Sequence, residues 1–212
     1  MHQYHREGQA AQERAEALIA LCSEQGFALL LAWETIERGW ALAEQGRGEE
    51  GIAQIRQGLV ALQATGAEWL RAHFLGLLAE TYGKMGQAEE GLSALSEALT
   101  LVNKTGERYY EAELYRLKGE LTLAQSSVQS LGSSVQKEAE ACFCKAVEIA
   151  RRQQAKSLEL RAVMSLAKLW QRQGKPKEAH EMLAEIYNWF TEGFDTKDLQ
   201  EAKALLEELS SP

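Results

Sequence analysis

The chain has 212 residues, 45% hydrophobic and 25% charged, enough apolar surface for one or two globular domains or one elongated array and too much for a disordered chain. A formal net charge of −8 argues against a surface for nucleic acid or an anionic membrane, since both rest on clustered Lys and Arg. Only two prolines, Pro176 and Pro212, and no alternating β-branched runs leave the interior free to be almost continuously helical, which predicts an all-α fold.

In chain order, residues 8–24 read as an orphan helix, with Ala11, Ala15 and Leu18 in the register of the second helix of a hairpin. Four helical pairs follow at 27–64, 67–104, 107–153 and 156–190. A closing helix at 196–209 has Asp195 or Thr196 as its N-cap and an apolar stripe of Leu199, Ala202, Leu205, Leu206 and Leu209. About ten helices are predicted, in a single repeat domain over 1–212 that reads as a fragment of something longer.

Small residues set the period. In the first helices they are Gly39, Ala79, Gly119 and Ala167, separated by 40, 40 and 48; in the second helices Gly51, Gly91, Ala139 and Ala179, separated by 40, 48 and 40. Eight extra residues therefore lie between Gly119 and Ala139, where the low-complexity stretch "QSSVQSLGSS" sits. Gly costs about 1 kcal/mol relative to Ala inside a helix, so helices that keep using it are expected to be approached closely by another helix. Turn signals keep the same step: Gly26, Gly66 and Gly106 between pairs, with Gln154 in the fourth place, and Gly46, Gly86 and Gly174 within pairs, where a left-handed residue would end the first helix.

This pattern resembles the tetratricopeptide (TPR) family, whose aromatic or large place is held here by Leu42, Tyr82, Thr122 and Trp170, and whose late small place is held by Gly58, Ala98, Ala146 and Ile186. The 40-residue unit resembles the longer-helix variant of large bacterial regulatory ATPases. The strings "AELYRLKGEL", "AVEIARRQQAKSLELRAVMSLAKLW" and "NWFTEGFDTKDLQEAKALLEEL" are similar to the carboxy-terminal helical region of multidomain bacterial signalling proteins, which carry a nucleotide-cyclase or kinase domain and a P-loop regulatory ATPase. The resemblance implies a right-handed superhelix acting as a non-enzymatic interaction or scaffold module that regulates or localises an attached signalling ATPase or cyclase. An alternative reading is a sensor that holds a small effector, with Trp33 and Trp40 as stacking surfaces.

No residue pattern supports chemistry. "GKMGQAEEG" and "GKPKEAH" lack the spacing of a phosphate loop, His2 and His5 lie at the terminus, and His73 and His180 have no metal-ligand neighbour, so no catalytic, cofactor or metal residue is expected. Cys22, Cys142 and Cys144 are an odd set that suits reduced, buried thiols. With no leader and no run of 18 apolar residues, the expected location is the cytoplasm, without membrane contact.

In a TPR array the first helices line the concave face. Outward positions at i, i+3 and i+7 give Trp33, Ile36, Trp40; His73, Gly76, Glu80; Glu113, Arg116, Glu120; and Arg161, Met164, Lys168. The series begins aromatic, turns acidic and ends basic, the chemistry of a groove for an extended peptide or partner helix. Contact with preceding domains of the same polypeptide is a further expectation. Trp189, Phe190 and Phe194 are expected to join the last pair to the closing helix.

Overall fold

The structure, a computed structural model, describes residues 8–125 and 133–210. His2, His5 and most of the serine-rich stretch lie outside the described residues. The described residues form ten helices and no strand: α1 (Gly8–Gln25), α2 (Ala28–Glu44), α3 (Gly48–Ala64), α4 (Arg71–Lys84), α5 (Ala88–Thr105), α6 (Glu111–Gln125), α7 (Ser133–Gln153), α8 (Lys156–Arg172), α9 (Pro176–Tyr187) and α10 (Lys197–Ser210). They fall into two compact units, Met1–Glu107 and Arg108–Pro212.

Helix ends follow from the turn residues. Gly46, Gly86 and Gly174 have φ of 84°, 73° and 76°, and the next residue donates back across the turn: Arg47 to the Leu42 carbonyl, Gln87 to Tyr82 and Lys175 to Trp170. This is the Schellman closure, which satisfies a carbonyl the helix leaves unpaired. Gln154 adopts φ 55° and supports the same closure, from Ala155 to the Ala150 carbonyl, at the place glycine holds elsewhere. Two helices start later than the period suggests. α4 begins at Arg71 because Leu70 takes a left-handed φ of 62° and donates its N–H to the Glu107 carboxylate, 3.2 Å away. α6 begins at Glu111, after a turn at Tyr109 and Tyr110.

In the first unit, glycine brings backbones together. A Cβ on Gly39 would stand 2.7 Å from the Gly51 carbonyl oxygen, and one on Gly51 would stand 2.5 Å from that of Gly39, so α2 and α3 cross with nothing between their main chains. Gly58 makes room for Ile36 in the same seam. Ala79, the counterpart of Gly39 in α4, is fully buried.

In the second unit, Gly119 of α6 accepts the Phe143 ring of α7, while Ala139, Ala167 and Ala179 are fully buried. Leu199, Ala202, Leu205 and Leu209 of α10 join one core with Leu160, Leu183 and Ile186 of α8 and α9. Phe190 and Tyr187 pack on that core, and the half-exposed Trp189 and Phe194 join them through ring contacts, Trp189 edge-on to Phe190 at 5.2 Å and Phe194 against Tyr187 at 5.9 Å. Cys22 and Cys142 are buried, whereas Cys144 is exposed, a correction to the reading of all three as buried.

Candidate interaction surface

Several residues expected on the inner face of the first unit are closed to solvent. Ile36 and Trp40 are 0% and 1% exposed, and His73 and Gly76 are buried. The reason is helical phase: Ile36 stands three residues before Gly39 and so shares its face, which the α2–α3 crossing covers. Trp40 reaches α4 instead, its indole N–H donating to Glu80 at 3.2 Å, and Lys84 pairs with both Glu44 and Glu80. Trp33 and Glu80 remain half-buried. The Trp33 ring meets Trp69 and Phe74 edge-on at 5.3 and 5.7 Å, and His73 meets Phe74 at 5.5 Å. Beside this cluster the Glu37 carboxyl is pushed up to about 7, first by burial and then by Glu34, against a hydrogen bond from Trp33.

The second unit closes its candidates with ions. Glu113 is 1% exposed and Arg116 and Met164 are buried; Arg161 is half-buried, and only Glu120 and Lys168 are exposed. Arg116 binds Glu113 through two nitrogens, Nε at 2.9 Å and Nη2 at 2.7 Å, and Glu120 through Nη1 at 2.5 Å. Ser165 donates to Glu120 at 2.9 Å. Arg161 bridges Glu113 and Asp198, each at 3.1 Å, tying α8 to α6 and α10. Burial works against the Arg161 charge, but Glu113 and Asp198 hold its proton more firmly than in water. Glu113, Arg116 and Met164 are therefore interior, because Arg116 and Met164 precede the crossing residues Gly119 and Ala167 by three.

An open concavity lies elsewhere in the first unit. A groove of about 450 Å³ runs between α3 and α5 with α4 as its floor. Leu75 and Tyr82 form part of the floor, Arg56 and Val60 one wall, and Glu90 and Glu97 the other. Arg56 lies 5.8 Å from the Tyr82 ring centre, and Arg71 pairs with Glu97 at 2.6 Å. Val60 is 70% exposed, a bare aliphatic side chain at the lip. The sequence carried one signal for it: an apolar Val on the outer face of α3, where polar residues are expected.

Among the described residues no group of three or more His, Cys, Asp or Glu side chains is arranged to hold a metal, and no helix is long and apolar enough to cross a membrane. Burial raises the thiol pKa of Cys142, and partial desolvation of the Cys144 sulfur beside the Glu140 charge raises that one although the residue is exposed, which keeps both in the less nucleophilic form.

No family model and no curated protein matches the chain. Solved structures do. BtubC from P. vanneervenii is 16% identical over 97% of this chain and 89% of its own, with a TM-score of 0.62. A thermophilic TPR protein of Thermus thermophilus is 19% identical over 84% and 80%, with a TM-score of 0.61. A putative kinesin light chain of Podosopora anserina with nearly identical TPR-like repeats is 18% identical over 100% and 92%, at 0.56. At these identities the likeness is one of fold, and the fold is the all-α, TPR-like solenoid.

Proposed function

We propose that the chain is a non-enzymatic protein-interaction module that works in the cytoplasm and regulates or localises an attached signalling ATPase or cyclase. The observation that carries the interaction reading is the α3–α4–α5 groove, with apolar side chains between a basic and an acidic wall. Such a trough offers an extended peptide an anchor and a direction. The link to a signalling ATPase is supported by the resemblance of the three sequence strings alone. Trp33, Glu80, Glu120, Arg161 and Lys168 keep accessible surface and remain in the proposal as further contacts on their own units.

The experiment is selection of displayed peptides against the chain, followed by titration calorimetry of the selected peptide. Val60→Arg is expected to abolish binding with the circular dichroism unchanged. A peptide that binds Val60→Arg as tightly as the parent sinks the groove assignment. The small-effector reading has weaker support, because Trp33 is packed edge-on against Trp69 and Phe74 rather than offering an open ring face.

A further inference from the structure

We infer that the α3–α5 groove selects its extended peptide by a carboxamide: an aliphatic side chain enters beside Val60, and two residues away an Asn or Gln side chain spans Arg56 and Glu90. This rests on the reading of the groove as a peptide site and adds which peptide it takes.

Two residues make the space. At the same repeat positions the second unit holds Glu148 and Met182 in place of Val60 and Ala94, and Met182 packs onto its core. Ala94 in the first unit leaves that volume open, with Leu75 and Leu78 on the floor beside it and Val60 at the lip. Leu75, Leu78, Tyr82 and Ala94 line the groove yet are all buried. It is therefore a slot for side chains and not a bed for a helix roughly 10 Å across.

The two ends of the slot differ in charge. Where α4 begins, Arg71 pairs with Glu97 at 2.6 Å, and each neutralises the other. Where α4 turns into α5, Arg56 lies by the Tyr82 ring on one wall, and Glu90 stands in the first turn of α5 on the other. Neither has an ion-pair partner among the described residues, so the two stand too far apart to pair with each other. A cationic side chain placed between them is repelled by Arg56, and an anionic one by Glu90. A carboxamide offers its carbonyl oxygen to the guanidinium and an N–H to the carboxylate, with no net charge. The spacing agrees as well. Arg56 and Val60 are one helical turn apart, about 6 Å, close to the roughly 6.6 Å between alternate residues of an extended chain, which point the same way.

Selection from displayed decapeptides tests this, with three libraries that fix a Leu and place Gln, Glu or Lys two residues before or after it. The bait is the 212-residue chain, and Val60→Arg is the control bait. Gln is expected to be enriched about tenfold over Glu and over Lys on the parent chain, and not on Val60→Arg. Arg56→Glu, which leaves two acids, should shift the preference to Lys, and Glu90→Arg should shift it to Glu. The double exchange should restore Gln, because an amide can turn over. Arg56 and Glu90 are exposed, so the melting temperature serves as a control that should not move. Enrichment that Val60→Arg removes, but with Gln no better than Glu or Lys, overturns the carboxamide and leaves the groove as a peptide site. Equal enrichment on both baits, or none on either, overturns the groove reading and the carboxamide with it.

Discussion

Ile36 in the first unit and Arg116 in the second each stand three residues before a crossing glycine, Gly39 and Gly119, and both are buried. One position is filled by an aliphatic side chain that fits against Gly58, the other by a guanidinium held between Glu113 and Glu120. The hairpin geometry decides that the position is closed, while the residue decides how the closure is satisfied. The apolar solution gains by packing and tolerates loss gradually. The ionic solution contributes little net stability against an apolar isostere, yet is sensitive to losing one partner.

The largest effect should come from breaking the ionic side. Arg116→Met takes one of two arginines from the buried Glu113, leaving it to Arg161, and should lower the unfolding free energy by about 3 kcal/mol in urea melts. A loss below about 1 kcal/mol would mean the cluster is solvated and the contrast between the units is false. On the packing side, Gly39→Val forces side-chain atoms onto the Gly51 carbonyl and should cost about 2 to 3 kcal/mol. The same exchange at Gly119 meets a Phe143 ring, which can move, so its cost should be smaller.

Next comes pH. The folded Glu37 carboxyl sits at about 7, above its ordinary 4.5, so its contribution is fully present below 4.5 and is lost as pH rises through 7. Relative to Glu37→Gln, the parent chain should lose about 1 to 2 kcal/mol between pH 5 and 8, after allowance for partial exposure. Glu159 in the second unit runs the other way. Burial opposes its charge, but Lys156 and Arg151 lower its pKa, so its contribution is lost as pH falls. Parallel melting curves for parent and Glu37→Gln across that range would remove the pH contrast. The smallest effect is Gln154→Gly, which relieves a left-handed residue at φ 55° and should raise stability by about 0.5 to 1 kcal/mol.

Most of the fold was legible because glycine and alanine have few uses inside helices. Gly39 and Gly51 were readable as a crossing from their period, and the turn glycines as left-handed from their place, even where Gln154 stands in. The late start of α4 was not readable, because it rests on Leu70 in a left-handed conformation held by a carboxylate 37 residues away. Part of the candidate surface lies on a covered face. Ile36, Arg116 and Met164 share the face of the small residues three positions later, which the period already located, so the signal was present. The groove between α3 and α5 depends on how far apart two helices stand, and no local pattern encodes that distance.

The reciprocal approach of Gly39 and Gly51 has a consequence for how this molecule can change. With hydrogen as the only substituent on either side, the contact has no rotamers to select among. Substitution at either residue can only push α2 and α3 apart, so adaptation of this hairpin must come from the residues flanking this pin while the pin itself stays still.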